Sequence, residues 1–493
     1  MSKIRTLAGQ TAIYGASNII ARFLNFLLVP LYTYSNLSRG EYGTNTEMYA
    51  LIAFVYVILT YGMETAYFRY IEIVDDRKKV YSTALISLIS TSVIFIFFTN
   101  IFSQQIATWM HYPTHPEYII WFGWIVTFDA ITAIPFTRLR AENKANRFAF
   151  IKVMNIAICI ALNVFFIIIC PFMLKHGIFT NFVNAVFSGK VEVKYIFISN
   201  LIASGFTTLL LLKELFDFRS GFDFNLWKKM MLYALPLLLF GFAGVINETL
   251  DRVLIKYLLP ENIALDQLGI YGACYKISIF MTLFIQAYKY AAEPFFFAQA
   301  KESDAKQTYV DLMNYFIIIV SFIFLITTMY LNDVFIYFIG RPYRVGAAVI
   351  PILLLANLCL GIYYNLSIWY KLTNKTIYGA YLSVFGAVVT LVLNFLWIPV
   401  YRYMGSAWAT LICYFSMMVL SYFVGQKHFP INYNIKKALG YLGVAVMFYF
   451  ITYFLKLQII YVRLSVHTIF VILFILMVIK IEKPQYLKLK VKS

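Results

Sequence analysis

The feature that most constrains this chain is a series of long apolar runs that contain almost no charged residue. Segments 84–98, 119–134 and 384–399 are examples. A helix needs about 20 mostly apolar residues to cross the roughly 30 Å hydrocarbon core of a bilayer. The chain is 61% hydrophobic and 13% charged, against roughly 45–50% and 25% in soluble domains. The sequence therefore excludes a soluble globular protein and predicts a polytopic membrane protein.

The runs predict helices and not the strands of a membrane β-barrel. Barrel strands alternate polar and apolar residues over about ten positions, whereas these runs are continuous and longer. The resulting prediction is an all-α protein with 14 transmembrane helices. Their expected positions are 10–34, 45–67, 82–102, 118–137, 150–172, 195–212, 231–255, 268–288, 308–330, 346–369, 377–399, 405–424, 438–455 and 464–480.

The distribution of positive charge predicts the orientation. With both termini cytoplasmic, 28 of the 41 lysines and arginines fall on the inner side and 11 on the outer side, as the positive-inside rule requires. Topology thus accounts for most of the net charge of +18 without a nucleic-acid partner. Every loop is too short for a folded domain of 50 or more residues, so the chemistry must lie among the helices.

An ungapped shift of 229 residues aligns scarce residue types in the two halves of the chain and predicts an internal repeat. Both copies begin with an inside-to-outside helix, so the repeats are expected to be parallel. The shift also places Arg22 on Asp251. The main coincidences are Gly15 with Gly244, Asn18 with Asn247, the GEYG of 40–43 with the GIYG of 269–272, and Glu64 with Glu293.

The first predicted span carries a polar stripe. Asn18, Arg22 and Asn25 lie at i, i+4 and i+7, which is one face of a helix. A buried arginine costs at least ~2.5–3.5 kcal/mol on insertion scales, so it is expected to face a water-filled cavity or an anion site. The alternative is that Arg22 snorkels to the cytoplasmic interface.

The seventh span ends in three charged residues. Glu248, Asp251 and Arg252 lie at i, i+3 and i+4, so Glu248 could pair with Arg252 across one turn as a structural ion pair. The functional alternative is that Asp251 gates or neutralises the cavity that Arg22 lines.

Four further charged residues fall within or at the ends of spans. Lys276 is expected to be a cation facing the lumen, and Glu64 and Glu293 to be inner-gate or helix-capping residues. Asp129 is the only charge of the fourth span, which is typical of a proton or sodium site, although a buried hydrogen-bonded aspartate fits as well.

The sequence contains no recognisable catalytic constellation. It has no phosphate-binding GxxxxGK[ST] motif, no HExxH and no GxSxG, and its five cysteines have no metal-ligand spacing. We therefore expect a protein that is not an enzyme and that has no cofactor and no metal site.

Several segments together resemble one family. They are TAIYGASNIIARFLNFLLVPLYTY with GEYG, YGMETAYFRY, DAITAIPFTRLRAENKANRF, NETLDRVLIKYLL, LGIYGACYKIS and QAYKYAAEPFFF. The combination resembles the Wzx-type polysaccharide biosynthesis proteins, which are lipid-linked oligosaccharide flippases of the MOP exporter superfamily. MATE drug exporters and the lipid II flippase belong to the same superfamily. The resemblance runs from about residue 8 to residue 430.

The resemblance implies two six-helix lobes around a cationic central cavity. The lobes would be 1–220 and 221–425, and 426–493 would hold two further helices and a basic cytoplasmic tail. The family's cavity cations would correspond to Arg22, Arg138, Arg140, Arg252 and Lys276.

The resemblance also implies the substrate and the location. The substrate would be an undecaprenyl-pyrophosphate oligosaccharide, such as the repeat unit of an O-antigen, capsule or exopolysaccharide. The protein would flip it across the bacterial inner membrane by alternating access, with membrane lipid and polysaccharide polymerase machinery as partners. The alternatives are a MATE-like antiporter of drugs or cations and a membrane glycosyltransferase, polymerase or ligase.

Overall fold

The computed structural model describes residues 15–490 except Asn18, Arg219, Lys301 and Ser303, and the regular elements of this part are all helical. Fourteen long helices lie within these described residues. They are α1 Gly15–Tyr34, α2 Arg39–Ile73, α3 Arg77–Ile101, α4 Pro116–Ala141, α5 Ala145–Lys175, α6 Lys194–Leu210, α7 Phe224–Leu258, α8 Glu261–Gln299, α9 Ala305–Met329, α10 Val349–Leu372, α11 Ile377–Tyr401, α12 Tyr403–His428, α13 Ile435–Leu455 and α14 Ile460–Lys490.

Within the described part of the chain, 13 helices are long and apolar enough to cross a membrane. The remaining long helix, α6, has 17 residues, which is the lower limit for a span. It coincides with the predicted span 195–212. The prediction of an all-α polytopic membrane protein is confirmed.

Short helices occupy some of the connections. They are Ser103–Trp109, Thr180–Val186 and Leu212–Leu215, together with the 3₁₀ turns Phe335–Phe338 and Arg341–Gly346. A π-helical turn, Phe165–Ile169, lies within α5.

Polar side chains fix the amino-terminal ends of several helices. Ser38 and Glu41 form a reciprocal capping box at the start of α2, in which each side chain accepts from the other's backbone N–H. Asp76, Asp223 and Asn434 accept backbone N–H groups at the starts of α3, α7 and α13. These caps satisfy donors that have no partner inside a helix.

Helix α2 is broken once, at Tyr61 and Gly62. Both residues have left-handed backbone, with φ of 34° and 75°, so the first part ends at Thr60 and the second begins at Met63. The Tyr61 hydroxyl lies 2.5 Å from Oγ of Ser87, which also accepts from Nε1 of Trp227 at 2.8 Å. This buried contact holds the break against α3 and α7.

The chain divides into two compact units. The first contains Met1–Gly272 and Thr390–Tyr403. In it α3 packs on α4, α6 packs on α4 and α5, and α7 runs along both parts of α2. One of its core clusters surrounds Tyr67 and Tyr81 at the end of the bundle that holds the α2 break.

The second unit contains Ala273–Val389 and Met404–Ser493. In it α9 packs on α10, α13 and α14, and α13 contacts α14. Arg463 at the start of α14 forms an ion pair with buried Asp333, and Glu482 near its other end accepts from Lys437 and Tyr441 of α13. These polar contacts join the last two helices to each other and α14 to the segment that follows α9.

Candidate functional site

Two glycine motifs cross in direct contact within the first unit. A Cβ built on Gly43 of α2 would lie 2.0 Å from the carbonyl oxygen of Leu265 in α8, and one on Gly269 would lie 2.1 Å from that of Arg39. Small residues at such positions let two helix backbones approach closely. Each glycine thus meets the backbone four residues before the other glycine, so Gly43 and Gly269 hold equivalent places in the contact. They are 226 residues apart, three fewer than the shift of 229 that aligns the two halves of the sequence.

A buried ion pair joins α2 to α7 within the same unit. Nζ of Lys256, in the last turn of α7, donates to Oε2 of Glu47 in α2 at 2.8 Å and to the carbonyl of Met110 at 2.6 Å. The Glu47 and Lys256 side chains are 0% and 5% exposed. Tyr112 completes the group: its hydroxyl donates to the same Glu47 oxygen at 2.5 Å, and its ring lies 3.7 Å from Nζ of Lys256.

This network connects α2, α7 and the segment between α3 and α4. Burial raises the pKa of Tyr112 well above 10, and the Glu47 carboxylate raises it further, so its hydroxyl stays protonated and able to donate. Sequence reasoning missed Glu47, Tyr112 and the partner of Lys256. The sequence does show Glu47 and Lys256 at the ends of two apolar runs. They are 209 positions apart, however, and nothing in the sequence indicates that the two would meet.

The polar stripe of α1 lies partly within the described residues. Asn18 lies outside them, whereas Arg22 and Asn25 are both exposed side chains. Among the described residues, Arg22 forms no ion pair and no hydrogen bond. Its charge is therefore available to water or to a ligand.

The charged residues at the end of α7 do not form the pair expected of Glu248 and Arg252. Glu248 is exposed and is paired with no cation among the described residues, whereas Asp251 is buried at 4% exposure. Asp251 accepts from the hydroxyl of Tyr271 in α8 at 2.5 Å and from the backbone N–H of Arg252 at 2.8 Å. This carboxylate joins α7 to α8 next to the glycine crossing.

A second polar group lies inside the first unit. Asp129 of α4 accepts from the hydroxyl of Ser204 in α6 at 3.0 Å, and Lys152 of α5 interacts electrostatically with both Asp129 and Glu64. Glu64 accepts from the hydroxyl of Tyr56 at 3.0 Å across the break in α2. The fold thus brings Glu64, Asp129 and Lys152 into one electrostatic neighbourhood, and no hydrogen bond or ion pair of the described residues joins it to Arg22.

Arg138 and Arg140 lie in the last turn of α4. Arg138 donates to Glu142 at 2.6 Å and to Asp217 at 2.7 Å, so acidic partners already neutralise it. Arg140 is exposed and lies 5.0 Å from the ring centre of Phe68. Burial raises the pKa of Glu142, but its hydrogen bonds with Lys144 and Arg138 outweigh burial and hold that pKa below its usual value.

The remaining predicted site residues, Lys276 and Glu293, lie in the α8 segment of the second unit. Lys276 is partly buried, and Glu293 accepts an ion pair from Lys371 of α10 at 2.7 Å. The structure therefore gives Glu293 a definite cationic partner within its own unit. Among the described residues, no group of three or more histidine, cysteine, aspartate or glutamate side chains is placed to hold a metal ion.

Comparison with solved structures identifies the fold. The chain superposes on the lipid II flippase MurJ in an inward closed conformation with a TM-score of 0.68, over 95% of this chain and 99% of that one at 13% identity. The chain therefore shares the fold of this flippase. An inward-facing multidrug resistance MATE transporter of the MOP superfamily gives 0.63 over 85% and 97% at 13% identity.

A mutant of the Vibrio cholerae MATE transporter VcmN gives a TM-score of 0.58 over 87% of this chain and 98% of that one, at 12% identity. No family model and no curated protein matches the sequence. At these identities the likeness concerns the fold, and function has to be argued from the residues.

Proposed function

We propose that this protein is a flippase that moves an undecaprenyl-pyrophosphate oligosaccharide from the cytoplasmic to the outer leaflet of a bacterial inner membrane by alternating access. The observation that carries the proposal is Arg22, an exposed arginine in a candidate span that has no acidic partner among the described residues. A guanidinium can bind a pyrophosphate through paired hydrogen bonds. The Wzx-type resemblance and the fold shared with a lipid II flippase support the same substrate class.

The physical problem of flipping fits this arrangement. Neither the hydroxyls of an oligosaccharide nor the charges of a pyrophosphate cross hydrocarbon unaided, because each polar group would lose its hydrogen bonds to water. A hydrated path with cations would carry the head group while the prenyl chain stayed in lipid. Moving one elementary charge across the membrane changes its free energy by ~2.3 kcal/mol per 100 mV of membrane potential. The potential could therefore drive transport of a charged head group, and no ATP site is required.

We further propose that the moving bodies are the lobes 1–220 and 221–425, with 426–493 as an added element. The reciprocal contact of Gly43 with Gly269 supports a pseudo-twofold relation between the halves. The charge distribution predicts that the Gly43–Gly269 crossing and the Glu47–Lys256 pair lie at the outer end of the helices. Alternating access would then require both contacts to separate when the outer side opens.

The decisive experiment is to locate the lipid-linked oligosaccharide in cells that lack this protein. The proposal expects it to accumulate on the cytoplasmic face, where external lectins and periodate do not reach it. Its appearance on the outer face in the deletion strain would contradict the flippase function.

The orientation has a separate test. Asn181 follows α5 and Lys144 follows α4. Each is replaced singly by cysteine in a protein from which the native cysteines have been removed. An impermeant maleimide added to intact cells should label the cysteine at 181 and not the one at 144. Labelling of both would contradict cytoplasmic termini with fourteen spans.

A MATE-like antiporter is the second candidate, because solved MATE transporters share the fold over 85–87% of this chain. Export of cationic compounds favours an acidic cavity, whereas Arg22 and Lys276 place positive charge within the spans. Resistance to cationic dyes on expression, with no effect on the lipid-linked oligosaccharide, would favour this alternative.

A further inference from the structure

The connection between α5 and α6 folds back onto the first unit as a short helix, Thr180–Val186. The backbone N–H of Ile178 donates to the carbonyl of Met173 at 2.9 Å, so the chain turns as soon as α5 ends at Lys175. The short helix then packs on the last part of α5. The charge distribution predicts this end of α5 to be outside. The connection is therefore a docked element at the outer end of the unit.

One face of the short helix is buried against the protein. Val183 is 0% exposed, and Phe187, which follows the helix, is also buried. Both belong to a buried cluster with Phe166 and Cys170 of α5 and Tyr195 of α6. Cys170 lies roughly 7.5 Å before the end of α5, at 1.5 Å of rise per residue. The short helix thus lies beside the last turns of α5 and does not project beyond them.

The last turns of α5 lie within the hydrocarbon of the membrane. The run 153–174 contains no charged residue and is slightly longer than the ~20 residues that a span needs. Lys175 ends this run, so the boundary of the hydrocarbon falls close to it. An element that packs beside Cys170 therefore lies at the depth of that boundary.

A second face of the short helix is apolar and is covered by no part of the protein. Phe179 and Phe182 are 74% and 56% exposed, and Ile178 and Val186 are exposed as well. Phe182 and Val186 are four residues apart and so share one side of the helix. In water these four side chains, which we call the apolar face, would expose hydrocarbon surface at a cost in proportion to its area.

A third face is polar. Asn181 and Asn184 are three residues apart and exposed, and Asn184 lies about 200° around the helix from Phe182, at about 100° per residue. The element therefore presents separate sides to the protein, to an apolar medium and to water. Helices with an apolar side and a polar side lie in the plane of the membrane surface, with the apolar side roughly 5–10 Å deep in the boundary between headgroups and acyl chains.

The surroundings of the short helix match a phospholipid leaflet. Ile168, Ile169 and Phe172 of α5, which precede the turn, are exposed apolar side chains within a candidate span, as expected where a helix contacts acyl chains. Lys175 and Lys190 flank the short helix and are exposed. Lysines at such positions extend their ammonium groups toward the polar surface of the membrane, where the lipid phosphates lie.

We propose that the short helix is an interfacial anchor that binds the phospholipid of the adjacent leaflet, which the charge distribution predicts to be the outer one. Its apolar face lies among the ends of the acyl chains nearest the headgroups, and Asn181 and Asn184 lie in water. The anchor sets the depth of the outer end of α5 and α6 in the membrane. This inference concerns one connection and its lipid, so it stands whether or not the protein flips oligosaccharides.

The test compares labels on the two faces of the full-length protein in nanodiscs of phosphatidylethanolamine and phosphatidylglycerol. Phe182→Cys and its matched control Asn184→Cys are made singly in a protein without the native cysteines and are labelled with a nitrobenzoxadiazole fluorophore. We expect the label at position 182 to emit at shorter wavelength, to be quenched by lipids brominated near the headgroup end of the chain, and to be shielded from iodide. The label at position 184 should be quenched by iodide and only weakly by brominated lipid.

Two outcomes would overturn the anchor. Equal quenching of both labels by iodide would place the apolar face in water. Shielding of the label at position 182 from both iodide and brominated lipid would show that protein covers this face, either a second copy of this chain or another chain. Val186→Cys, on the same face, repeats the measurement with the Phe182 ring in place, so the result does not depend on the loss of that ring.

A charge on the apolar face provides an independent check. With the label at position 186, Phe182→Asp should shift the emission to longer wavelength and increase quenching by iodide, because a carboxylate is costly to place among acyl chains. Asn184→Asp adds the same charge on the polar face and should leave the label unchanged. An unchanged label in Phe182→Asp would contradict the contact of this face with lipid.

Discussion

Lys256 and Arg22 are both basic residues of candidate spans in the first unit, and they occupy opposite environments. Lys256 is 5% exposed and is bound by Glu47 and the carbonyl of Met110, whereas Arg22 is exposed with no partner among the described residues. Removing one charge of a buried pair leaves the other uncompensated, and removing an exposed charge leaves nothing behind. The comparison suggests a rule for basic residues in spans. A cation that already has an acidic partner has a structural role, and a cation without one is a candidate for binding a ligand, whatever its depth in the span.

The largest expected effect on stability is that of Lys256→Met. The substitution leaves the Glu47 carboxylate buried without its counter-charge, which costs about 3–5 kcal/mol of unfolding free energy. Thermal and denaturant unfolding of the purified protein in detergent would measure this loss. The same measurement on Arg22→Ala should show almost no change in unfolding free energy, so the two variants together test the contrast between Lys256 and Arg22.

A double variant provides the control for that experiment. Glu47→Leu with Lys256→Met replaces the pair by apolar groups of similar size, which is often neutral. Most of the lost stability should return, although Tyr112 loses its acceptor. If the double variant were as unstable as the single one, the loss would come from packing and not from the unpaired charge.

The next effect is that of Gly43→Ala at the crossing of α2 and α8. The new methyl group would lie 2.0 Å from a backbone oxygen, so the helices must move apart. Overpacking of this kind costs about 1–3 kcal/mol. Gly244→Ala is the matched control, because a Cβ there meets nothing within 4 Å and alanine is the better helix former; equal behaviour of the two variants would contradict the close crossing.

Hydropathy was sufficient to predict the spans, but it could not predict the pairs between them. The fourteen predicted spans correspond to α1–α14, including the short α6, because length and apolar content are properties of a local window. The Glu47–Lys256 pair joins residues 209 positions apart and depends on how α2 packs on α7. The charge count could only place Lys256 at an outer span end, with no indication that a carboxylate would meet it.

The candidate site shows the same limit from the other side. The helical spacing of Arg22 and Asn25 predicts one polar face. Both side chains are exposed, but so are Phe23 and Leu27, so exposure does not distinguish the predicted face from the rest of α1. The spacing of Glu248 and Arg252 also permitted a pair across one turn, but Glu248 remains exposed and unpaired with described residues. Spacing shows which contacts a helix allows, and the packing of neighbouring helices decides which ones form.

A smaller effect is expected for Glu142→Gln at the end of α4. Glu142 bonds Arg138 and Lys144 and is about one-third exposed, so solvent screening limits its contribution to about 1 kcal/mol or less. Its pKa is lowered in the folded protein, so the contribution is present above the usual carboxyl pKa and is lost as the pH falls through the lowered value. Unfolding of both proteins between pH 7 and pH 3 should show a difference that shrinks on acidification; a difference that grew would contradict the ion pair.

The smallest effect on stability and a large effect on transport should come from Arg22→Ala. An exposed side chain without a described partner contributes within about 0.5 kcal/mol to unfolding, so the variant should insert and unfold like the native protein. If Arg22 binds the pyrophosphate, the variant should lose flipping of the lipid-linked oligosaccharide, and Arg22→Lys should recover only part of it, because an ammonium keeps the charge without the bidentate fork. Lys78→Ala also removes an exposed charge, at the start of α3, and should flip normally. Native flipping by Arg22→Ala would show that the arginine only snorkels. Arg22 and Lys256 would then differ in burial alone, and neither would bind the substrate.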